Sequence, residues 1–292
     1  MIVQSPASRL ADGLIRLFMT LFALFCFLPV LFVLMISVTD EDAIREHGYS
    51  FFPAEFSGEA YRLLFQDATT ILRSYGISLF VTIVGTLLAV TITAMAAFTL
   101  TNRAVRYRNH LAGFFFFTML FSGGIVPWYM ICRELGLNNN VFALLVPSLL
   151  FSAFNLFLVR NFMLALPYAL VESAKIDGAN DAVTAFRILF PLCKPVLATI
   201  ALFYGLAYWN DWWNAIMLVD DQKLYPVQYF LFKLQSDIQM MTQIQGASSS
   251  GTLPAESVKM ATAILTIGPI VLMYPYLQRY FVKGLVIGSV KG

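Results

Sequence analysis

Residues 172–181 read Glu-Ser-Ala-Lys-Ile-Asp-Gly-Ala-Asn-Asp and form a compact polar stretch between two long apolar segments. The stretch continues to Phe190-Pro191-Leu192, after which the chain becomes apolar again. Over the whole chain 59% of the residues are hydrophobic and only 12% are charged. A short charged insert in such a chain is typical of a surface that docks another protein.

The composition around this insert places the chain among membrane proteins. With 292 residues and a mean hydropathy of +0.73, it has more apolar surface than a soluble core buries. A helix needs about 20 apolar residues to cross the roughly 30 Å hydrocarbon layer. The sequence therefore predicts one all-α transmembrane domain over 1–292, with six helices at about 17–38, 75–100, 111–131, 141–162, 196–219 and 260–280.

The basic residues predict the orientation of these helices. The first apolar stretch is longer than the core of a signal peptide and lacks a cleavage pattern after Val38, so we expect it to be retained. If both termini lie in the cytoplasm, most of the 19 Lys and Arg residues face the inner side. The insert 166–195 and the tail 281–292 are then cytoplasmic, and the loop 220–257 is extracytoplasmic.

Local signals predict two short helices within the insert. Pro167 suits a helix start, and a first helix is expected over 168–176. Asp177-Gly178 is a turn signal, and Asn180 or Asp181 can cap a second helix that runs to Phe190. We expect Pro191 and Pro195 to help end it.

The second helix carries an apolar stripe. Val183, Phe186 and Phe190 follow helical spacing, so they can lie against the transmembrane bundle or fill a groove in a partner. Glu172, Lys175 and Asp177 are expected to remain available for charged contacts. On spacing alone, an ordinary amphipathic inner loop explains the same residues.

The insert resembles the signature of binding-protein-dependent ABC importer permeases. That signature is Glu-Ala-Ala, three residues, Gly, nine residues, Ile, one residue and Leu-Pro. This chain has Glu172-Ser173-Ala174, Gly178, Ile188 and Phe190-Pro191, so every spacing is kept. It departs from the signature at Ser173, where alanine is usual, and at Phe190, where leucine is usual.

The resemblance covers nearly the whole chain and implies the type I importer fold, in the carbohydrate-uptake branch, in a bacterial cytoplasmic (inner) membrane. It implies four kinds of partner. They are a second homologous permease, two cytoplasmic ATPase subunits that bind the ATP and Mg²⁺, a periplasmic or extracellular solute-binding protein, and an oligosaccharide. No cofactor is implied for this chain, and neither a catalytic role nor nucleic acid is expected. The ATPase-coupling contacts that it implies are Glu172, Ser173, Ala174, Asp177, Gly178 and Ala179.

The cargo is predicted less directly. The sequence from Gly136 to Lys194 resembles permeases for uronate-containing or pectin-like oligosaccharides more than the maltose type, which suggests acidic fragments of alginate or pectin. An ion-coupled secondary sugar transporter is the alternative, and only Asp211 could serve it inside the membrane. A membrane enzyme acting on lipid-linked sugars would need several carboxylates or histidines at one depth, and the sequence lacks them.

A polar and aromatic cluster interrupts the fifth apolar segment and is our candidate for the substrate path. Aromatic faces stack on the C–H surfaces of sugars, while amides and carboxylates bind their hydroxyls. An aromatic belt at the outer interface is the competing interpretation, and Asn155 suits an interhelical hydrogen bond as well as a path. The candidate path residues are Tyr204, Tyr208, Trp209, Asn210, Asp211, Trp212, Trp213, Asn214 and Asn155.

The third segment contains Ser122-Gly123-Gly124 followed by Pro127. This combination lowers helix propensity and predicts a broken helix, because Pro and Gly disfavour a continuous ladder. Close helix packing at the two glycines explains the same residues.

The loop before the last helix is rich in Gly and Ser, which predicts mobility. Thr252 stands where a phosphate-binding loop requires lysine, so this loop is not an ATP site. By resemblance it enters the open cleft of the binding protein; a plain connector is the alternative. Its candidate residues are Gly246, Ser248, Ser249, Ser250 and Gly251. Cys26, Cys132 and Cys193 have no metal-ligand spacing, and no metal site is expected.

Overall fold

The computed structural model describes residues 6–66, 68–245 and 254–271. These residues form helices joined by loops, and their one β pairing is an isolated bridge between Thr39 and Phe56. The helices are α1 (Pro6–Ser37), α2 (Glu41–His47), α3 (Glu59–Leu64), α4 (Ala68–Thr101), α5 (Arg108–Leu120), α6 (Ile125–Glu134), α7 (Phe142–Leu145), α8 (Ala153–Leu164), α9 (Ala169–Ile176), α10 (Asp181–Val183), α11 (Phe190–Leu192), α12 (Lys194–Trp209), α13 (Trp213–Leu218), α14 (Val227–Gln245) and α15 (255–271). A π-helical segment, Thr184–Leu189, joins α10 to α11.

The chain divides into two compact units. Among the described residues, the first comprises 6–66, 68, 231–245 and 254–269, and the second comprises 69–230, 270 and 271. The insert and the polar cluster of the fifth segment both belong to the second unit.

Glu41 organises the first unit by capping α15. Its side chain is only 5% exposed, and its carboxylate accepts hydrogen bonds from the N–H groups of Glu256 and Ser257 (3.2 and 3.1 Å). These N–H groups at a helix N-terminus have no intrahelical acceptors, so a carboxylate there satisfies them. Tyr49 donates to the carboxylate of Glu256 (2.7 Å), and this hydrogen bond raises the pKa of the Tyr49 hydroxyl. The segment 40–49 is thereby tied to the start of α15.

In the second unit α4 packs closely against α12. The buried residues of α4 include Gly85 and Ala89, and small residues let helix backbones approach each other. A Cβ built on Gly85 would lie 2.5 Å from Cζ of Tyr208, so the tyrosine ring fills the space that the glycine leaves. One turn earlier on α12, the Tyr204 hydroxyl lies 2.7 Å from Oγ1 of Thr93 on α4.

Two helices of the described part are long and apolar enough to cross a membrane, 12–37 and Ala68–Thr101. They cover the predicted stretches 17–38 and 75–100. Three bent helix pairs also meet the length and composition requirement, so the described part has up to 5 candidate spans if each bent pair is counted as one span. The predicted stretch 260–280 begins in α15, and its residues beyond 271 lie outside the described part.

The third predicted segment is broken at the expected place. Helices α5 and α6 are separated by residues 121–124 and bent by 118°. Gly124 has a φ of +84°, a backbone conformation that suits glycine. Nothing lies within 4 Å of a Cβ at Gly124, and only Pro127 approaches Gly123. Breaking the helix, rather than packing it against a described neighbour, therefore accounts for these glycines.

Adding a methyl group at Gly85 should destabilise the second unit. In Gly85→Ala the new Cβ collides with the Tyr208 ring, and such overpacking costs about 1–3 kcal/mol. The matched control is Gly76→Ala on the same helix, where nothing lies within 4 Å; replacing a mid-helix glycine there should stabilise by about 0.5–1 kcal/mol. Thermal unfolding of the purified protein measures both, and equal melting temperatures for the two variants would contradict the packing.

Candidate functional site

Gly178 ends the first helix of the insert in a Schellman motif. The N–H of Gly178 donates to the carbonyl of Lys175 (3.1 Å), and the N–H of Ala179 donates to the carbonyl of Ala174 (2.9 Å). Gly178 has a φ of +82°, in the left-handed region where a side chain costs about 1–2 kcal/mol. The glycine of the signature is therefore required by the turn that ends α9.

Asn180 starts the second limb of the insert. Its Oδ1 accepts a hydrogen bond from the N–H of Val183 (2.8 Å), which makes it the cap of α10. The limb ends at Leu192, one residue after Pro191, and Pro195 lies in the first turn of α12. Proline lacks the donor that a helix interior needs but is tolerated in a first turn, so the two prolines lie on either side of the joint.

Both limbs of the insert leave the long helices at steep angles. Helix α9 is bent by 76° from α8, and Asp181–Leu192 is bent by 83° from α12. The insert therefore lies across the axes of the two helices that it connects. A force on the insert acts on both α8 and α12.

The π-helical segment changes which residues of the second limb are buried. Thr184, Ala185 and Leu189 are buried, whereas Phe186 of the predicted stripe is 53% exposed. A π turn bonds residue i to i+5, so the 3.6-residue pattern loses its register there. Phe186 is therefore not packed against the rest of the chain as one interpretation of the stripe required. Its ring contacts the Phe190 ring edge-on, with 5.0 Å between the ring centroids.

The predicted coupling residues differ in exposure. Ala174 is buried and Ala179 is half-buried, so Ala174 supports the insert from within. Lys175 is exposed, and its Nζ lies 3.7 Å from the Asp181 carboxylate across the turn. The exposed coupling residues are Glu172, Ser173, Asp177 and Gly178.

Ile176 was not singled out by the sequence, yet it is 86% exposed at the end of α9. It adjoins the exposed Asp177 and Gly178. An apolar residue directly before an Asp-Gly turn was the available signal. Together Glu172, Ser173, Ile176, Asp177 and Gly178 form a surface that we call the insert tip.

The fourth predicted segment is also broken, within residues 146–152. Pro147 has no N–H to donate, and Ser148 has a φ of +65°. The sequence predicted one stretch over 141–162, although a proline in its middle was a signal for a break. The break leaves backbone groups that need partners within the protein.

Side chains from α12 and α13 supply these partners. Three hydrogen bonds meet the broken segment: Tyr208 donates to the carbonyl of Leu145 (2.7 Å), Nδ2 of Asn214 donates to the carbonyl of Pro147 (3.1 Å), and the Tyr204 hydroxyl accepts from the N–H of Ser152 (3.0 Å). All three side chains are 3% exposed or less. They hold the irregular backbone in place.

Asp211 lies at the break between α12 and α13. Its carboxylate accepts hydrogen bonds from Nδ2 and from the N–H of Asn214 (2.9 and 3.2 Å). Asn210 ends α12, and its Nδ2 donates to the carbonyl of Leu206 (2.8 Å). Asn210 and Asp211 thus form hydrogen bonds at the chain break while remaining partly accessible.

The candidate path residues therefore fall into two groups. Tyr204, Tyr208, Trp209, Asn214 and Asn155 are buried within the second unit. Asn210, Trp212 and Trp213 are exposed, the two tryptophans by 38% and 37%, and Asp211 is half-buried between them. The role of all nine residues in a sugar path stays a prediction.

The remaining sequence expectations concern cysteines, metals and the outer loop. Burial raises the pKa of the Cys193 thiol to about 11, so it stays protonated near neutral pH. Among the described residues no group of His, Cys, Asp and Glu side chains is arranged to hold a metal ion. The candidate loop residues Gly246, Ser248, Ser249, Ser250 and Gly251 lie outside the described residues.

Comparison with known proteins identifies the family. The chain is 37% identical over 286 residues to the polygalacturonan/rhamnogalacturonan transport system permease protein YtcP of Bacillus subtilis, a match covering 98% of this chain and 99% of that protein. The chain belongs to the ABC sugar permeases. No family model matches it.

Two further relatives agree with this assignment. The permease is 25% identical over 299 residues to the arabinooligosaccharides transport system permease protein AraQ of Halalkalibacterium halodurans, covering 99% of this permease and 100% of the relative. It also matches a chain in the crystal structure of a bacterial ABC transporter involved in the import of the acidic polysaccharide alginate, with a TM-score of 0.80 and 28% identity, covering 96% of this permease and 100% of that chain. The all-helical importer fold follows, and the ion-coupled alternative is not supported.

Proposed function

We propose that this permease forms half of the translocation pore of a binding-protein-dependent oligosaccharide importer. It pairs with a second permease, two cytoplasmic ATPase subunits that bind ATP and Mg²⁺, and an external solute-binding protein. Six spans with both termini in the cytoplasm, in the inner membrane, fit this assembly. The observation that carries the proposal is the insert, whose two limbs leave α8 and α12 at 76° and 83° and present an exposed tip.

The insert tip is the proposed ATPase contact. Glu172 and Asp177 offer charges, and Ile176 offers an apolar side chain that is 86% exposed. Burying an isoleucine in a partner stabilises the complex by about 1.5–3 kcal/mol. The buried Ala174 and the Schellman turn at Gly178 keep the tip in one shape.

The bends explain how ATPase movement reaches the membrane. When ATP binding closes the ATPase dimer, the insert moves with the cleft that holds it. Because α9 packs on the π-helical segment, the two limbs move together and carry α8 and α12 with them. Rocking of the two permeases then opens the pore to the binding protein, and ATP hydrolysis returns it to face the cytoplasm.

The proposed sugar contacts are the accessible residues at the break between α12 and α13. The exposed faces of Trp212 and Trp213 suit the C–H surface of a sugar ring, and Asn210 and Asp211 suit its hydroxyls. The buried Tyr204, Tyr208 and Asn214 support this surface from behind through their hydrogen bonds to the broken fourth segment. The outer loop 246–251 is proposed to meet the binding protein.

We propose acidic, uronate-containing oligosaccharides as the cargo. The support is the names of two relatives, a polygalacturonan/rhamnogalacturonan permease and an alginate importer. The names of other relatives, such as the arabinooligosaccharides permease, favour neutral sugars, and identity to that protein is lower at 25%.

Replacing Ile176 by serine should weaken ATPase binding by about tenfold or more, because the apolar contact is lost. Ile176→Leu keeps the apolar area and should bind as the wild type does. Titration of the ATPase subunits into the permease pair in lipid nanodiscs measures both affinities. Wild-type affinity for Ile176→Ser would mean that the partner does not bury this side chain.

Trp213 and Tyr208 should respond differently to substitution. Trp213→Ala should lower oligosaccharide uptake in proteoliposomes while leaving the melting temperature close to wild type. Tyr208→Phe loses one buried hydrogen bond and should lower stability by about 1 kcal/mol, with uptake per folded protein unchanged. If Trp213→Ala transports normally, the two tryptophans belong to an interfacial belt instead.

The cargo class can be read from the assembled complex with its binding protein. Oligogalacturonate or alginate fragments should stimulate ATP hydrolysis more than neutral oligosaccharides of the same length. Stronger stimulation by the neutral sugars would overturn the acidic cargo, and uptake driven by an ion gradient without the ATPases would overturn the importer itself.

A further inference from the structure

A cavity of about 240 Å³ lies at the base of the insert, within the second unit. It is lined by the end of α4, the start of α5, the end of α8 and the first residues of the insert. Three of its lining residues are arginines, Arg103, Arg108 and Arg160, and no Asp or Glu lines it. The cavity is therefore strongly positive.

These arginines lack acidic partners in the part of the chain that the structure describes. No carboxylate oxygen lies within 4.0 Å of their guanidinium nitrogens there. The Nε–H of Arg160 is buried and meets no acceptor among the described residues. A buried donor without an acceptor destabilises the protein, and so do positive charges that line one cavity. A bound anion would accept the hydrogen bond and neutralise the charge.

The position of Arg103 connects the cavity to the insert. Its guanidinium carbon lies 4.0 Å from the centre of the Tyr168 ring, directly before α9. Val171 of α9 and Leu189 of the second limb line the same cavity. The cavity therefore borders both limbs of the insert as well as α5 and α8.

Apolar residues that line the cavity beside the guanidinium groups indicate which kind of anion fits there. Phe98, Met163 and Leu164 line the cavity, and Leu164 is 53% exposed. A charged headgroup with an attached hydrocarbon chain satisfies both parts of this lining. Guanidinium groups bind phosphate oxygens through paired hydrogen bonds, and basic pockets of this kind on the cytoplasmic side bind anionic lipid headgroups.

We propose that this cavity binds a phosphate group, supplied by the headgroup of an anionic phospholipid, between Arg103, Arg108 and Arg160. Free phosphate shares the same chemistry, so it is the other source to be tested. The bound phosphate lies where the start of the insert, the end of α4, the start of α5 and the end of α8 come together. Binding does not depend on the sugar that is transported.

The test compares lipid binding by the assembled permease–ATPase complex. The complex is placed in nanodiscs of phosphatidylcholine with or without phosphatidylglycerol, and retained lipid is counted by native mass spectrometry after extraction. The double substitution Arg108→Gln with Arg160→Gln should weaken phosphatidylglycerol binding about tenfold or more, because charge-assisted bonds to phosphate are lost. Arg160→Lys keeps the charge and should retain most of the binding.

Arg106→Gln is the matched control. Arg106 belongs to the same loop but does not line the cavity, and its guanidinium carbon lies 5.5 Å from the centre of the Tyr107 ring. It should keep wild-type lipid binding. If the double variant does not assemble, Arg108→Gln alone gives the same comparison.

A second arm uses inorganic phosphate in phosphatidylcholine nanodiscs and follows the melting temperature. Stabilisation of the wild type but not of the double variant, with unchanged lipid retention, supports the same anion site with free phosphate as its source. Equal lipid retention and equal phosphate response in wild type and double variant would overturn the site. An equal loss in Arg106→Gln would overturn it too, since the effect would then come from the overall charge of the loop.

Discussion

Backbone N–H and C=O groups that a helix break exposes need hydrogen-bond partners, and this requirement connects the helices of the second unit. Residues 146–152 are not helical, so the break takes their backbone groups out of the regular helical hydrogen bonding. Tyr204, Tyr208 and Asn214 provide the missing partners through hydrogen bonds of 2.7–3.1 Å. The same requirement places Tyr208 deep between helices, where only a glycine at position 85 leaves room for its ring. One constraint thus links α4, α8, α12 and α13.

This constraint also changes how the polar cluster of the fifth segment is understood. Its composition suggested a surface for sugars, and three of its buried members, Tyr204, Tyr208 and Asn214, also hydrogen-bond the backbone of the neighbouring broken helix. The accessible members are Asn210, Trp212 and Trp213, and the half-buried Asp211 beside them accepts two hydrogen bonds from Asn214. These bonds make the surface proposed for sugar contact more rigid.

A few local interactions also fix the shape of the insert. Its turn is fixed by Gly178, its second limb is capped by Asn180, and it crosses the axes of α8 and α12 steeply. The arginine-lined cavity lies where the insert meets α5 and α8. The proposed ATPase contact and the proposed phosphate site therefore lie in one region of the second unit.

The sequence by itself determined the membrane class, the position of the polar insert and its turn at Gly178, and it indicated the break at residues 121–124 as one of two explanations for the glycine pair. These features depend on composition and on local backbone preferences of Gly, Pro and Asn, which act within a few residues. Only the tertiary structure decided which aromatic residues are buried, that Ala174 faces inward while Ile176 faces outward, and that Arg103, Arg108 and Arg160 line one cavity. Those outcomes depend on contacts between residues far apart in the chain. The sequence also did not predict which residues of the second limb are buried, because a π-helical segment shifts the burial pattern away from α-helical spacing.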